Sequence, residues 1–199
     1  NKIRVVREEL KFGELTASTQ DKNVEGSYHE VEAGNVKART EEASDFRVTA
    51  EEGKKNTSFD VFQGQIEVSS GDKRESVVAG ERIRTSKSGR LKEKEVLPGV
   101  PILTAPRDQK VFILDPSRPA GVTLAWDTVP GAIKYLLMFS DTALFTDALY
   151  DSQRAGPRAP IGEVPEGSYH WMVAAVSANG VRGPDSGARR FRVSAQKIL

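Results

Sequence analysis

The chain has 199 residues, 38% of them hydrophobic, with no cysteine and a formal net charge of +1. It is long enough for one large core or two ordinary ones, too neutral to attract nucleic acid or an anionic membrane, and unable to form disulfide or thiolate centres. It contains no run of about 18 apolar residues, so no membrane-spanning segment is predicted, and it opens on Asn1 and Lys2 rather than on an initiator and signal sequence.

In chain order, the apolar stretches are short, rich in Val, Ile, Phe and Thr, and bounded by Gly, Asn, Asp or Ser, which is the pattern of strands. IRVV, ELTAST, NVKART, DFRVTA, TSFDVF, QIEVSS, ESVV and ERIRTS are the strand candidates of the first half. SSGDKRES and TSKSGRL supply the small polar clusters with glycine that tight reversals need. A local shape repeats: LKFGELTA, VEAGNVKA and VFQGQIEV each set apolar positions around a glycine, and VVAGERIR keeps the start of the pattern. The glycines are Gly13, Gly34, Gly64 and Gly80, at unequal intervals, so this is not a solenoid repeat. In VFQGQIEV the adjacent Val61 and Phe62 break the two-residue alternation of a half-buried strand. The expectation is that each of these glycines marks a corner or bulge rather than a simple hairpin.

Composition then shifts. Of the first 96 residues 37 are charged, against 20 of the remaining 103. LPGVPILTAP, with Pro98, Gly99, Pro101 and Pro106, predicts a stiff connector over 97–106 between a β domain at 1–96 and a second at 107–199. The second domain carries VTLAWDTV, IKYLLMFS, SYHWMVAAVS and ARRFRV, joined by Pro- and Gly-rich segments, as in a β-sandwich. Trp126, Tyr135, Tyr169 and Trp171 are expected in its core.

Chemistry-bearing patterns are sparse. His29 and His170 lie in different predicted domains without metal-spaced neighbours, and no nucleophile elbow, phosphate loop or His-Glu-x-x-His occurs. Glu41-Glu42 and Glu51-Glu52 are read as solvated surface, because adjacent carboxylates on a strand face opposite ways. Asp141, Asp147 and Asp151 lie in a loop-like stretch but lack EF-hand spacing and its glycine. No catalytic residue, cofactor or metal is therefore expected. Arg182, Arg189, Arg190 and Arg192 form a basic patch near the end, read as a strand edge protected by charge, with an anion or polysaccharide contact as its functional reading.

Two resemblances follow from these motifs. GELTA and the run from Asp45 to Ile83 resemble the FecR domain. The shared features are Phe46 to Val48, a polar turn at Glu51 to Lys55, Phe59 to Val68, and Ala79-Gly80-Glu81. Two features depart from that pattern: Glu41 to Asp45 replaces a small-residue segment, and Gln63 replaces an acidic residue before Gly64. The second half resembles a fibronectin type III domain through Trp126, Gly131-Ala132, Tyr135 and a Tyr169 placed like a tyrosine corner. The expected fold is all-β, a FecR-like domain with glycine corners followed by a fibronectin type III or Ig-like sandwich. The resemblance implies an extracytoplasmic, periplasmic address in a bacterial envelope. The expected function is a non-enzymatic adaptor binding an envelope protein or cell-wall glycan, with a periplasmic fragment of a FecR-type transmembrane regulator as the alternative.

Overall fold

A computed structural model describes residues 3–19, 24–52, 56–114, 121–145, 148–162 and 164–195. It is all-β, with no helix among the described residues. The chain divides into two compact units, Asn1–Leu97 and Pro98–Leu199.

Unit 1 is built from strands β1 (Val5–Glu9), β2 (Gly13–Thr19), β3 (Tyr28–Ala33), β4 (Val36–Thr40), β5 (Ser44–Ala50), β6 (Thr57–Gln63), β7 (Gln65–Ser70), β8 (Lys73–Val78), β9 (Glu81–Arg84) and β10 (Glu95–Val96). They form two five-stranded sheets, sheet A in the order β1-β3-β4-β7-β8 and sheet B in the order β10-β9-β6-β5-β2. From β3 onward each consecutive pair of strands forms an antiparallel ladder within one sheet, and the chain then passes to the other sheet for the next pair. Both sheets contribute to one core, in which Val31, Val36 and Ile66 of sheet A join Phe46, Phe59 and Ile83 of sheet B. β1 lies parallel to β3 at the edge of sheet A.

Gly64 is the whole connection between β6 and β7. Its φ is +72°, and a methyl group there would stand 2.3 Å from the Ala43 carbonyl oxygen and 2.5 Å from the Ser44 hydroxyl. No side chain fits this corner. Just before it, Phe46 pairs with Val61 and Asp45 with Gln63, which leaves Phe62 as a bulge. Bulge and corner together explain the broken alternation at Val61-Phe62. The chain also changes sheet just before Gly13 and between β8 and β9 at Ala79-Gly80. Gly34 departs from the expectation. Ala33 pairs with Val36 within sheet A, so Gly34-Asn35 is a two-residue hairpin loop. Its positive φ at the first loop position, +65°, is the one a type II′ turn requires.

Unit 2 comprises β11 (Leu103–Ala105), β12 (Lys110–Leu114), β13 (Val122–Trp126), β14 (Ala132–Ser140), β15 (Ala148–Arg154), β16 (Arg158–Gly162), β17 (Gly167–Ser177), β18 (Arg182–Asp185) and β19 (Arg189–Ala195). A sheet β11-β13-β16 and a larger sheet β12-β19-β17-β14-β15, with β18 also on β17, enclose a core of Leu124, Trp126, Tyr135, Phe139, Trp171 and Phe191, among others. Tyr169 donates its hydroxyl to the Pro165 carbonyl at 2.9 Å, and the Tyr135 hydroxyl accepts the Val129 amide at 2.9 Å. Each tyrosine thus fills the core with its ring and pins an adjoining loop with its oxygen. The predicted connector at 97–106 is only partly a connector. Leu97 is buried and donates its amide to Gly80 at 2.8 Å, while Leu103 pairs with Trp126 as part of β11.

Replacing Gly64 by Ala is expected to destabilise unit 1 by about 2–5 kcal/mol, combining about 1–2 kcal/mol for the left-handed backbone with overpacking of about 1–3 kcal/mol. Gly80→Ala, which meets nothing within 4 Å, is expected to lose only the backbone component. Denaturant unfolding followed by far-UV circular dichroism measures both. Tryptophan fluorescence would not, because Trp126 and Trp171 belong to unit 2.

Candidate functional site

The outer face of sheet B carries a row of charge that the register assembles. Arg47 of β5 lies opposite Asp60 of β6, and Asp60 lies opposite Arg82 of β9. Asp60 is 0% exposed and Arg47 3% exposed at their side chains. Asp60 accepts from Arg47 Nε at 3.0 Å and Nη2 at 2.7 Å, and from Arg82 Nη2 at 2.7 Å and also Nε. Burying an ion is costly unless its lone pairs are satisfied, and two guanidinium forks satisfy this carboxylate. The Arg47 guanidinium also lies 5.1 Å from the centroid of the Phe62 ring. The bulge that puts Phe62 out of step therefore supplies a cover for the cluster. This cluster is fully engaged internally, which makes it structural.

A groove of about 570 Å³ opens on sheet A, beside the crossing from β4 to β5. Arg39, Glu41, Glu42, Gln65, Glu67 and Arg74 line it. The crossing beside it is held by hydroxyls. Ser44 Oγ donates to the Gln65 carbonyl at 2.9 Å and lies 3.0 Å from Thr40 Oγ1, while the Ser44 amide donates to Thr19 Oγ1 at 2.7 Å. Arg39 Nη2 bonds Glu41 at 2.6 Å and its guanidinium sits 3.9 Å from the Tyr28 ring centroid, so that side is oriented before any ligand arrives. Arg74 pairs with Glu67 at 3.3 Å, both well exposed. Exposed pairs of this kind add little stability. Glu41 and Glu42 belong to the crossing between strands, not to a strand, and both face the groove. The expectation that they point opposite ways fails because β4 ends at Thr40.

The four arginines of the predicted basic patch do not converge. Arg182 is held by Asp185 at 2.7 and 2.8 Å on β18, and Arg189 donates to the Pro106 carbonyl at 2.9 Å. Arg190 and Arg192 project from the outer face of β19, exposed and without a carboxylate partner among the described residues. β19 is an interior strand between β12 and β17, so the edge reading of this patch is corrected. Its charges flank β12 instead. Asp151 lies on β15 rather than in a loop, Asp141 lies in the turn after β14, and Asp147 is outside the described residues. Among the described residues no three His, Cys, Asp or Glu gather as a metal site, and no helix is long and apolar enough to cross a membrane. His29 lies 2.7 Å from Glu8. His170 stands opposite Arg190 with its Nδ1 buried and unpartnered among the described residues. Burial, and then the Arg190 charge, hold its pKa below the ordinary imidazole value against a smaller opposing pull from Asp108.

No protein-family model and no curated protein matches the chain. Among solved structures, a candidate anti-sigma factor from Parabacteroides distasonis is similar at 19% identity over 43% of this chain and 39% of its own, with a TM-score of 0.38. A Fn3-like protein from Clostridium thermocellum is 24% identical over 51% of this chain and 97% of its own, with a TM-score of 0.35. The extracellular domain of a candidate hybrid two-component system from B. thetaiotaomicron is 7% identical over 85% of this chain and 30% of its own, with a TM-score of 0.32. The chain thus spans 39% of the length of the anti-sigma factor it matches.

The lowered His170 pKa fixes the sign of a pH effect. The unfolded imidazole takes up its proton near pH 6.5 and the folded one only at lower pH, so the contribution to unit 2 stability is complete above pH 6.5 and is lost as pH falls through that window. NMR titration is expected to place the His170 midpoint below 6.5. His170→Gln is expected to flatten the stability profile of unit 2 there, and an unchanged profile would contradict the assignment.

Proposed function

We propose that this chain is a non-enzymatic binding module of the bacterial cell envelope, working outside the cytoplasm, in which the FecR-like unit and the fibronectin-like unit act as an adaptor for envelope proteins or cell-wall glycan. The observation that carries this reading is the groove beside the β4–β5 crossing. Two guanidiniums, three carboxylates and the Gln65 amide line one open channel, beside a strand crossing that the Thr19, Thr40 and Ser44 hydroxyls hold. A ligand with many hydroxyl and amide groups, such as a glycan strand with peptide substituents, matches this mixture of donors and acceptors. Among the described residues the groove is lined by no histidine, and recognition is the chemistry we assign to its lining.

The second reading is a periplasmic fragment of a FecR-type regulator. It is favoured by the FecR-like text from Phe46 to Glu81, which includes the β7 and β8 strands that line the same groove. In that reading the groove contacts another signalling protein instead of glycan.

Sedimentation with purified peptidoglycan, in parallel with retention of detergent-solubilised envelope proteins on the immobilised chain, tests the proposal. Binding in at least one arm is expected, reduced about tenfold by Arg39→Ala combined with Arg74→Ala while the melting curve is unchanged. Retention in neither arm, or release of reducing ends from the glycan, would overturn it. Retention of protein alone would select the signalling reading over the glycan one.

A further inference from the structure

An unpaired strand edge offers backbone donors and acceptors to another chain, and folded proteins blunt such edges in recognisable ways. Most edges here are blunted. On β8, Lys94 donates to the Ser76 carbonyl at 3.1 Å and Glu81 accepts the Val78 amide at 3.1 Å, with a 3.0 Å ion pair joining the two side chains. β10 and β11 have two and three residues, and β16 has Pro160 at its centre. β1 and β15 carry charged residues, and β2, at the edge of sheet B, carries Glu14 and the hydroxyl residues Thr16, Ser18 and Thr19. β12 differs: after Lys110 it reads Val111-Phe112-Ile113-Leu114, without charge, proline or glycine.

β12 is hydrogen-bonded in parallel to β19 on one side and has no strand on its other side among the described residues. Phe112 anchors it inward, edge-to-face on Phe191 at 5.7 Å. Val111 and Ile113 remain 47% and 54% exposed on the outer face. Arg192 is the register partner of Val111, and Arg190 and Lys110 are also exposed. The carboxylates nearby are engaged, Asp108 by the Arg190 amide at 2.9 Å and Glu166 by the Ser194 hydroxyl at 3.4 Å. The edge is thus apolar along its strand and cationic beside it.

We infer that the free edge of β12 receives an added strand from an extended partner peptide in which apolar residues alternate with carboxylates. Backbone pairing supplies affinity and the side chains supply selection, as in β-augmentation generally. An added strand lies about 4.8 Å from β12 and so about 10 Å from β19, a gap that an arginine and a glutamate reaching toward each other span. Its carboxylates would stand on the outer face, beside Val111 and Ile113 and within reach of Arg190 and Arg192, while its apolar residues, on the opposite face, would extend the layer of Phe112. This rests on the protein-binding branch of the proposed function and assigns it to a surface separate from the groove.

The test uses the full chain, isotopically labelled, with a capped hexapeptide of alternating valine and glutamate as probe and its valine–lysine counterpart as control. Saturable shifts of the Lys110 to Ile113 amides are expected, with the glutamate peptide binding about tenfold more tightly. Arg190→Glu with Arg192→Glu, at exposed positions and checked by circular dichroism, is expected to reverse that order, while the Arg39→Ala, Arg74→Ala pair leaves it intact. Equal binding of both peptides, shifts confined to another edge, or concentration-dependent protection of β12 without peptide would overturn the inference. The last result would mean that a second copy of the chain occupies the edge. Failure here with the groove still binding would leave the adaptor reading standing; loss of groove binding alone would not touch β12.

Discussion

A chain that builds a sandwich from successive hairpins has to cross from one sheet to the other without leaving the core, and in unit 1 the tightest of these crossings is the single residue Gly64. There the backbone passes so close to Ala43 and Ser44 that only hydrogen can occupy the Cβ position. The two crossings, β4 to β5 and β6 to β7, lie against one another. Ser44 ties them together, bonding the Gln65 backbone through its hydroxyl and Thr19 through its amide. Much else follows from this junction. It sets the register in which Phe46 and Val61 meet, and it places the groove beside the same crossing.

The two units solve the problem of covering sheets differently. Unit 2 fills its core with rings, Phe139 stacking on Tyr169 at 5.2 Å and Trp126 meeting Tyr135 at 5.5 Å, and lets tyrosine hydroxyls pin the loops. Unit 1 has a core of smaller Val and Ala residues with two phenylalanines, and buries ions on the outside of sheet B. A buried carboxylate between two guanidiniums is not by itself a large source of stability, because desolvation offsets most of the attraction, but losing one member leaves an uncompensated charge. We read the Arg47–Asp60–Arg82 row as a device that rejects other strand registers, since a slip of one residue would turn these charges into the apolar core.

Much of this was legible in the sequence, and the exceptions have physical causes. Strand composition marked an all-β chain, and the fall in charge marked the division near Leu97. The glycine pattern marked crossings near Gly13, Gly64 and Gly80, but it could not separate Gly34. Gly-Asn is itself a hairpin signal, and the repeated apolar frame outweighed it. The ion row was hidden because its members lie 13 and 22 residues apart and meet only through register. The groove was hidden because Glu41-Glu42 looked like strand, when the hydroxyls of Thr40 and Ser44 end one strand and begin another. β12 was obscured by the prolines before it. The basic patch reads as an edge in the sequence because nothing local to 182–192 signals that β12, about 80 residues earlier, pairs with β19.

A polar groove beside the Gly64 junction in unit 1 and an open apolar edge in unit 2 are the two surfaces we propose for recognition, and in that reading the groove depends on the Gly64 junction remaining closed. Native-state hydrogen exchange across unit 1 tests that dependence most directly. The Gln65 and Ile66 amides are expected to exchange only with the global opening that also releases Phe46, Val48 and Phe59. Exchange of Gln65 and Ile66 at the rate of exposed turns, while β5 and β6 stay protected, would contradict it.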